Sequence, residues 1–486
     1  MADPSIPGGA GPGSAHPYLP HTTEDRMVML SRLGLDSSSE LFRELPSSLR
    51  MSRPLALPAA LSELELLKTL KALADGNLNL DEHPCFLGAG VYDHYVPSVV
   101  DHVLGRSEFY TSYTPYQPEM SQGMLQAIFE YQTLICELTG MEVANASLYD
   151  GGSSLAEAAL MGCRASGREE VLIARTVNPF YREVVATYLR TAGFAIREIP
   201  LDESGAVDLD LLAAAAGSGT AALILQSPNF FGILEDLEAA GNILRRRAPA
   251  ASFVVSADPI SLALLRPPGE LGVDIVVGEG QVLGNHPSFG GPLLGIMACT
   301  EKLLRRMPGR IVGETTDAEG RRGYVLTIQT REQHIRREKA TSNICTNQAL
   351  NALAAAVYLT VLGKDGLREV AFNCCWKGHY ARERFRSLRG FAIPYQGPCF
   401  REFVVNCPIP PAELNSALIR DGIIGGYPLA RHYPEREELR SAWLLCVTER
   451  RTRAEIDRLA EAAAAAAALS PVFPSPEGGT VLENDL

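Results

Sequence analysis

The sequence predicts an α/β protein with a large domain built on a mainly parallel sheet and a smaller C-terminal α+β domain. Two observations carry this. From about Val171, apolar runs of strand length (VLIART, AALILQSPN, SFVVSADP, DIVVG) alternate with helical patterns such as LEDLEAAGNILRRRA. Strands apolar on both faces belong to a sheet covered by helices on both sides. After Thr346 the pattern changes. A long helical stretch, NQALNALAAAVYLTVL, precedes FREFVVNCP and SAWLLCVTE, which read as strands of a smaller sheet.

In chain order, residues 1–16 are Gly/Pro/Ala-rich and read as a disordered tail. Residues 17–75 form a helical extension. HTTEDRMVMLSRLGL offers a Thr cap, acidic residues in the first turn and Met27, Leu30 and Leu33 at helical spacing; LPAALSELELLKTLKALA reads as a second helix. Residues 76–345 make the large domain and 346–469 the small one, closed by the helix AEIDRLAEAAAAAAAL. Residues 470–486 read as a flexible tail.

The bulk numbers exclude several classes. The 486 residues carry a formal net charge of -13, which argues against nucleic acid or an anionic membrane as the main partner. No apolar run approaches the roughly 20 residues of a membrane-spanning helix, and the N-terminus is no secretory signal. The ten cysteines lack CxxC pairs, as expected for reduced thiols in a cytoplasmic protein. His94, His102, His286 and His334 have no ligand-like spacing, so no metal is assigned.

Four segments carry candidate chemistry. In YDGGSSLAEAALMG, Ser153 and Ser154 follow a Gly-Gly turn at a helix start, where free N–H groups suit a phosphate; a plain serine cap explains the same residues. Asp258 ends an apolar strand, where a carboxylate can hold a protonated pyridine nitrogen or simply cap a turn. The loop YTSYTPYQPEMSQG, fixed by prolines, reads as a ligand wall or as a well-packed irregular loop. In QTREQHIRREKATSNICT, Arg331, Arg336, Arg337 and Lys339 suit an anion, or form a solvated helix face with Glu332 and Glu338.

The stretch GEGQVLGNHPSFGGP (Gly278–Pro292) sharpens the question. An Asp, a strand, a turn and a Gly-Gly is the layout of a large group of pyridoxal-phosphate enzymes whose turn carries a lysine. Here His286 stands in a turn without one. Only six of the 44 basic residues are lysine, and none lies between Lys71 and Lys302.

Together, YTPYQPEMSQG, FEYQTLICELTGMEVANASLYDG, LRPPGELGVDI and QTREQHIRREKATSNICT resemble the glycine cleavage system P protein, the aminomethyl-transferring glycine dehydrogenase. The resemblance runs from about Pro17 to Ala468 and is to the N-terminal half of that family, its subunit 1. It implies an aspartate-aminotransferase-like fold (pyridoxal-phosphate fold type I) with active sites built at a dimer interface. It implies a pyridoxal phosphate held mainly by a partner, subunit 2, in a two-plus-two heterotetramer serving glycine and the lipoylated H protein. Tyr113, Tyr116, Glu119, Gln122, Lys339, Ser342 and Asn343 are then expected to contact the partner's site. Ser153, Ser154, Asp258 and His286 are expected to mark the chain's own vestigial site. Two alternatives stay open: a purely structural partner, and a self-sufficient enzyme using Lys302 or Lys339.

Overall fold

The structure, a computed structural model, describes residues 20–51, 53, 55–340 and 342–469. The tails read as 1–16 and 470–486 lie outside the described residues. The chain divides into two units, the first ending at Asn79 and the second starting at Leu80.

Among the described residues the first unit holds two α-helices, Thr23–Leu33 and Glu63–Ala74. A capping box starts the first: Thr22 Oγ1 accepts from the Asp25 N–H at 3.1 Å while the Thr22 N–H donates to the Asp25 carboxylate at 2.8 Å. The second begins later than the apolar pattern predicts. Ser62 and Glu65 form the same reciprocal cap, which fixes the start behind LPAAL. Met27, Leu33, Leu64 and Leu67 are exposed.

The second unit is organised by a seven-stranded sheet in the order β1-β7-β6-β5-β4-β2-β3. Its strands are β1 (Val143–Ala144), β2 (Glu170–Ala174), β3 (Ala195–Ile199), β4 (Thr220–Ser227), β5 (Ser252–Ala257), β6 (Ile275–Glu279) and β7 (Gly295–Cys299). The steps β3-β2-β4-β5-β6 are parallel, and β7 is antiparallel to both neighbours. The four apolar runs are β2, β4, β5 and β6. The sequence pattern passes over β3 because it is an edge strand whose Arg197 and Glu198 face outward.

The Gly151–Ser166 helix lies across the sheet, packing on β4, β5, β6 and β7. Gly162 permits the approach: a Cβ there would sit 2.9 Å from Ala222 Cβ. A hairpin of β8 (Ile311–Thr316) and β9 (Arg322–Thr327) follows. Its turn is set by Asp317, which accepts from the N–H groups of Glu319 and Arg321, and by Gly320 at φ 78°.

The long helix Ala349–Arg386 is interrupted at Gly363, whose φ of 58° is not helical. Beyond it, β10 (Glu402–Asn406), β11 (Tyr427–Pro428) and β12 (Ala442–Cys446) form an antiparallel sheet in the order β10-β12-β11. The helices Pro411–Arg420 and Arg453–Leu469 pack with it around Phe385, Phe403, Leu414, Trp443 and Ile456. Phe86 joins this core, its N–H donating to Ile424 O and its carbonyl accepting from Cys446 N. Among the described residues no helix is long and apolar enough to cross a membrane.

Candidate functional site

The parallel strands deliver their carboxyl ends to one place. β4 ends at Ser227, β5 at Ala257 just before Asp258, and β6 at Glu279. The Gly151–Ser166 helix starts beside them, capped by Asp150, whose carboxylate accepts from the Ser153 N–H at 2.8 Å. Tyr92, Tyr181, Gln226, Asp258, Glu279 and Arg401 line a cavity of about 40 Å³.

Two residues that the sequence pattern did not single out dominate this cavity. Glu279, on the last position of β6, accepts three backbone N–H bonds, each 2.9 Å long. They come from Gly151 at the helix start, Gln281 and Leu294. Burial pushes its carboxyl up to about 8, against the pull of those three donors. Arg401, immediately before β10, is 2% exposed at its side chain and places Nη2 2.5 Å from Asp258 Oδ2. Its guanidinium carbon lies 3.6 Å from the centroid of the Tyr92 ring, a cation–π contact. Asp258 spends its other oxygen on the Ile260 and Ser261 N–H groups. Both residues carried faint signals: an acid closing the apolar run DIVVG, and an Arg-Glu pair opening FREFVVNCP.

Arg401 extends the network to the C-terminal lobe. Its Nη1 donates to His94 Nε2 at 2.5 Å, and His94 Nδ1 donates to Glu449 Oε2 at 2.6 Å. His94, Cys374 and Glu449 have ligand atoms within 4.8 Å of one another, a grouping their sequence spacing hides. The guanidinium facing His94 opposes a second cation there. Burial works against charge on Glu449, yet the His94 ring and the Tyr95 N–H hold its carboxyl down at about 2, against an ordinary 4.5. A depressed folded value stabilises the fold fully above about 4.5, and that stability is lost as pH falls towards 2. The gap corresponds to roughly 3 kcal/mol. Melts of the chain and of Glu449→Gln at neutral pH and near pH ~3 check this: the variant should lose less stability on acidification.

The residues present do not fit a resident pyridoxal phosphate. A protonated pyridine nitrogen needs the Asp258 carboxylate, which the Arg401 cation already engages. A phosphate needs the first N–H of the Gly151–Ser166 helix, and Glu279 accepts it. No lysine lines the cavity.

The other residues marked in the sequence fall as follows. Ser153 and Ser154 turn their hydroxyls onto Asp150 O, at 3.0 and 2.8 Å, so their bonds serve the helix start. His286 lies half-exposed on the loop after β6, its Nε2 3.5 Å from Asp101, outside the cavity lining. Beside it, Ser288 and Phe289 adopt positive φ, and Phe289 is 88% exposed. Lys302 pairs with Asp274 at 2.5 Å, at the amino end of β6 and so opposite the end that bears Asp258 and Glu279. Lys339 is exposed.

Tyr113 and Tyr116 are exposed, as is Glu119. Gln122 opens the helix Gln122–Thr139 and clamps Tyr324 of β9, accepting from its N–H and donating to its carbonyl, both at 2.8 Å. Ser342 accepts from the Ile344 N–H and Asn343 is exposed. Arg331 departs from both expectations for its segment. It is buried and donates to the carbonyls of Gly309 and Ile328, so it faces neither an anion nor solvent.

Comparison with known proteins bears on the family and the fold. The family model described as glycine cleavage system P-protein matches residues 16–462. A relative from Desulforamulus reducens, the probable glycine dehydrogenase (decarboxylating) subunit 1, is 54% identical over 446 residues, covering 91% of this chain and 98% of that protein. A crystal structure of glycine decarboxylase (P-protein) of the glycine cleavage system in inhibitor-bound form superposes with a TM-score of 0.85 at 42% identity, covering 92% of this chain and 99% of that one. A C-DES mutant with glycine covalently linked to its pyridoxal-phosphate cofactor shares the fold alone: TM-score 0.58, 16% identity, 79% of this chain and 97% of that one. With a type I fold and these matches over nine-tenths of its length, the chain belongs to the glycine cleavage system P-protein family.

Proposed function

We propose that the chain is the cofactor-free subunit of a two-subunit glycine decarboxylase. The observation that carries this is the filled site: Arg401 on Asp258 and Glu279 on the helix start, in a cavity without an amine. Glycine enters such chemistry by displacing a protein lysine from a Schiff base, and no lysine lines the cavity at the carboxyl ends of the parallel strands. A partner, subunit 2, then supplies the lysine and holds the pyridoxal phosphate in a two-plus-two heterotetramer. That cofactor supplies the electron sink for loss of CO2. The aminomethyl group passes to the lipoyl arm of the H protein.

In this reading the chain contributes the shape of the partner's site. Tyr113 and Tyr116 provide exposed rings and Glu119 a polar group; Gln122, its amide held on Tyr324, fixes the end of that loop; Lys339 contacts the partner's site, and Ser342 and Asn343 approach the phosphate. The ten unpaired thiols suit the reducing cytoplasm. The test is glycine-dependent CO2 release with lipoylated H protein, using this chain, a cofactor-bearing P-protein subunit 2, or both. Release only from the mixture is expected. Turnover by this chain alone would contradict the proposal.

A further inference from the structure

We propose that Arg310 is the positioning residue that sets the Tyr113–Gln122 loop against the Gln329–Thr346 segment; the proposal rests on the function argued above. These two stretches lie more than two hundred residues apart in sequence, and Arg310 bonds to both. Its Nη2 donates to Tyr116 Oη at 2.9 Å on one side and to the Cys345 carbonyl at 2.6 Å on the other. The guanidinium carbon lies 5.3 Å from the Tyr116 ring centroid. Nε faces Glu332 at 3.6 Å, and the same carboxylate oxygen lies 3.6 Å from His334 Nδ1. The His334 ring in turn meets Tyr116 edge-on at 6.3 Å.

The side chain is 4% exposed, while Tyr116 above it is 53% exposed. A buried cation therefore lies under two exposed polar stretches. Its own mount is firm: the Arg310 carbonyl accepts from Ala146 N, and the next residue opens β8. The described residues of the Lys339–Asn343 stretch carry local bonds, such as Ala340 N to Arg337 O and Ile344 N to Ser342 Oγ, and one bond to the large domain, from Ser342 to Glu157. Only a planar guanidinium can bond Tyr116 and Cys345 from one nitrogen while presenting Nε to Glu332; an ammonium is a point charge without that fork. Losing the fork leaves both stretches attached but not registered to each other. Catalysis at a site they complete is sensitive to displacements near 1 Å.

The experiment uses Arg310→Lys and, as the gentler change, Tyr116→Phe, in the full-length chain. Two readouts are taken. Tryptic cleavage at Arg336, Arg337 and Lys339, mapped by mass spectrometry, reports the freedom of the segment. Steady-state kinetics of the pair formed with subunit 2 report kcat and KM for glycine, at equal complex and cofactor content. For Arg310→Lys, cleavage should accelerate and kcat fall by about tenfold or more while KM stays nearly constant. Tyr116→Phe, which loses only the hydroxyl bond, should move both in the same direction by less. Unchanged cleavage or unchanged kcat in a folded Arg310→Lys chain would overturn the proposal. If that variant does not fold, unchanged readouts in Tyr116→Phe overturn it. An inactive wild-type pair would instead defeat the function proposed above, with the cleavage arm still deciding whether Arg310 joins the two stretches.

Discussion

Arg401→Met is expected to destabilise the chain by about 3–5 kcal/mol, the usual cost of removing one partner from a buried ion pair. Methionine keeps much of the packing volume against Tyr92 and Phe400. It removes the charge on which three groups depend. Asp258 loses the cation at its Oδ2. His94 loses the donor to Nε2, which weakens its orientation towards Glu449. Glu402, whose carboxyl burial raises to about 7, loses the nearby positive charge that partly offsets that burial. Because Asp258 directly follows β5 and Glu402 belongs to β10, the guanidinium joins the large sheet to the smaller one. Equilibrium denaturation should show a clearly lower midpoint, and a shift within about 0.5 kcal/mol would place Arg401 among ordinary surface residues.

The strands that position the site were legible because their environment is simple. β2, β4, β5 and β6 are covered on both faces, so each appears as an unbroken apolar run. β3 and the β8–β9 hairpin are half-exposed and charged, so they lacked that signature. Asp258 was readable as a carboxylate closing a strand. Glu279 and Arg401 were not, because their meaning lies in partners distant in sequence. Glu279 meets Gly151 across 128 residues, and Arg401 meets both Asp258 and His94 only once the two lobes have formed. A missing lysine announces itself in a sequence; the pairing of Arg401 with Asp258 and of Glu279 with Gly151 does not.

Cofactor binding by the chain alone should differ from that of a lysine-bearing subunit in kind. The two charges a pyridoxal phosphate would present, a protonated ring nitrogen and a phosphate, are met here by a cation at Asp258 and a carboxylate at the helix start. Each would repel the corresponding group of the cofactor. Lys302 is tied to Asp274 at the far end of β6, so it cannot reach the cavity without unfolding that edge. Lys339 lies on an exposed stretch outside the cavity lining.

The most direct measurement is a titration of the purified chain, without partner, with pyridoxal phosphate, followed by borohydride reduction and peptide mapping. The filled site predicts no saturable Schiff-base absorption band and no stoichiometric pyridoxyl label, including at Lys302 and Lys339. A band that saturates at one cofactor per chain, with the label on a single lysine, would contradict it.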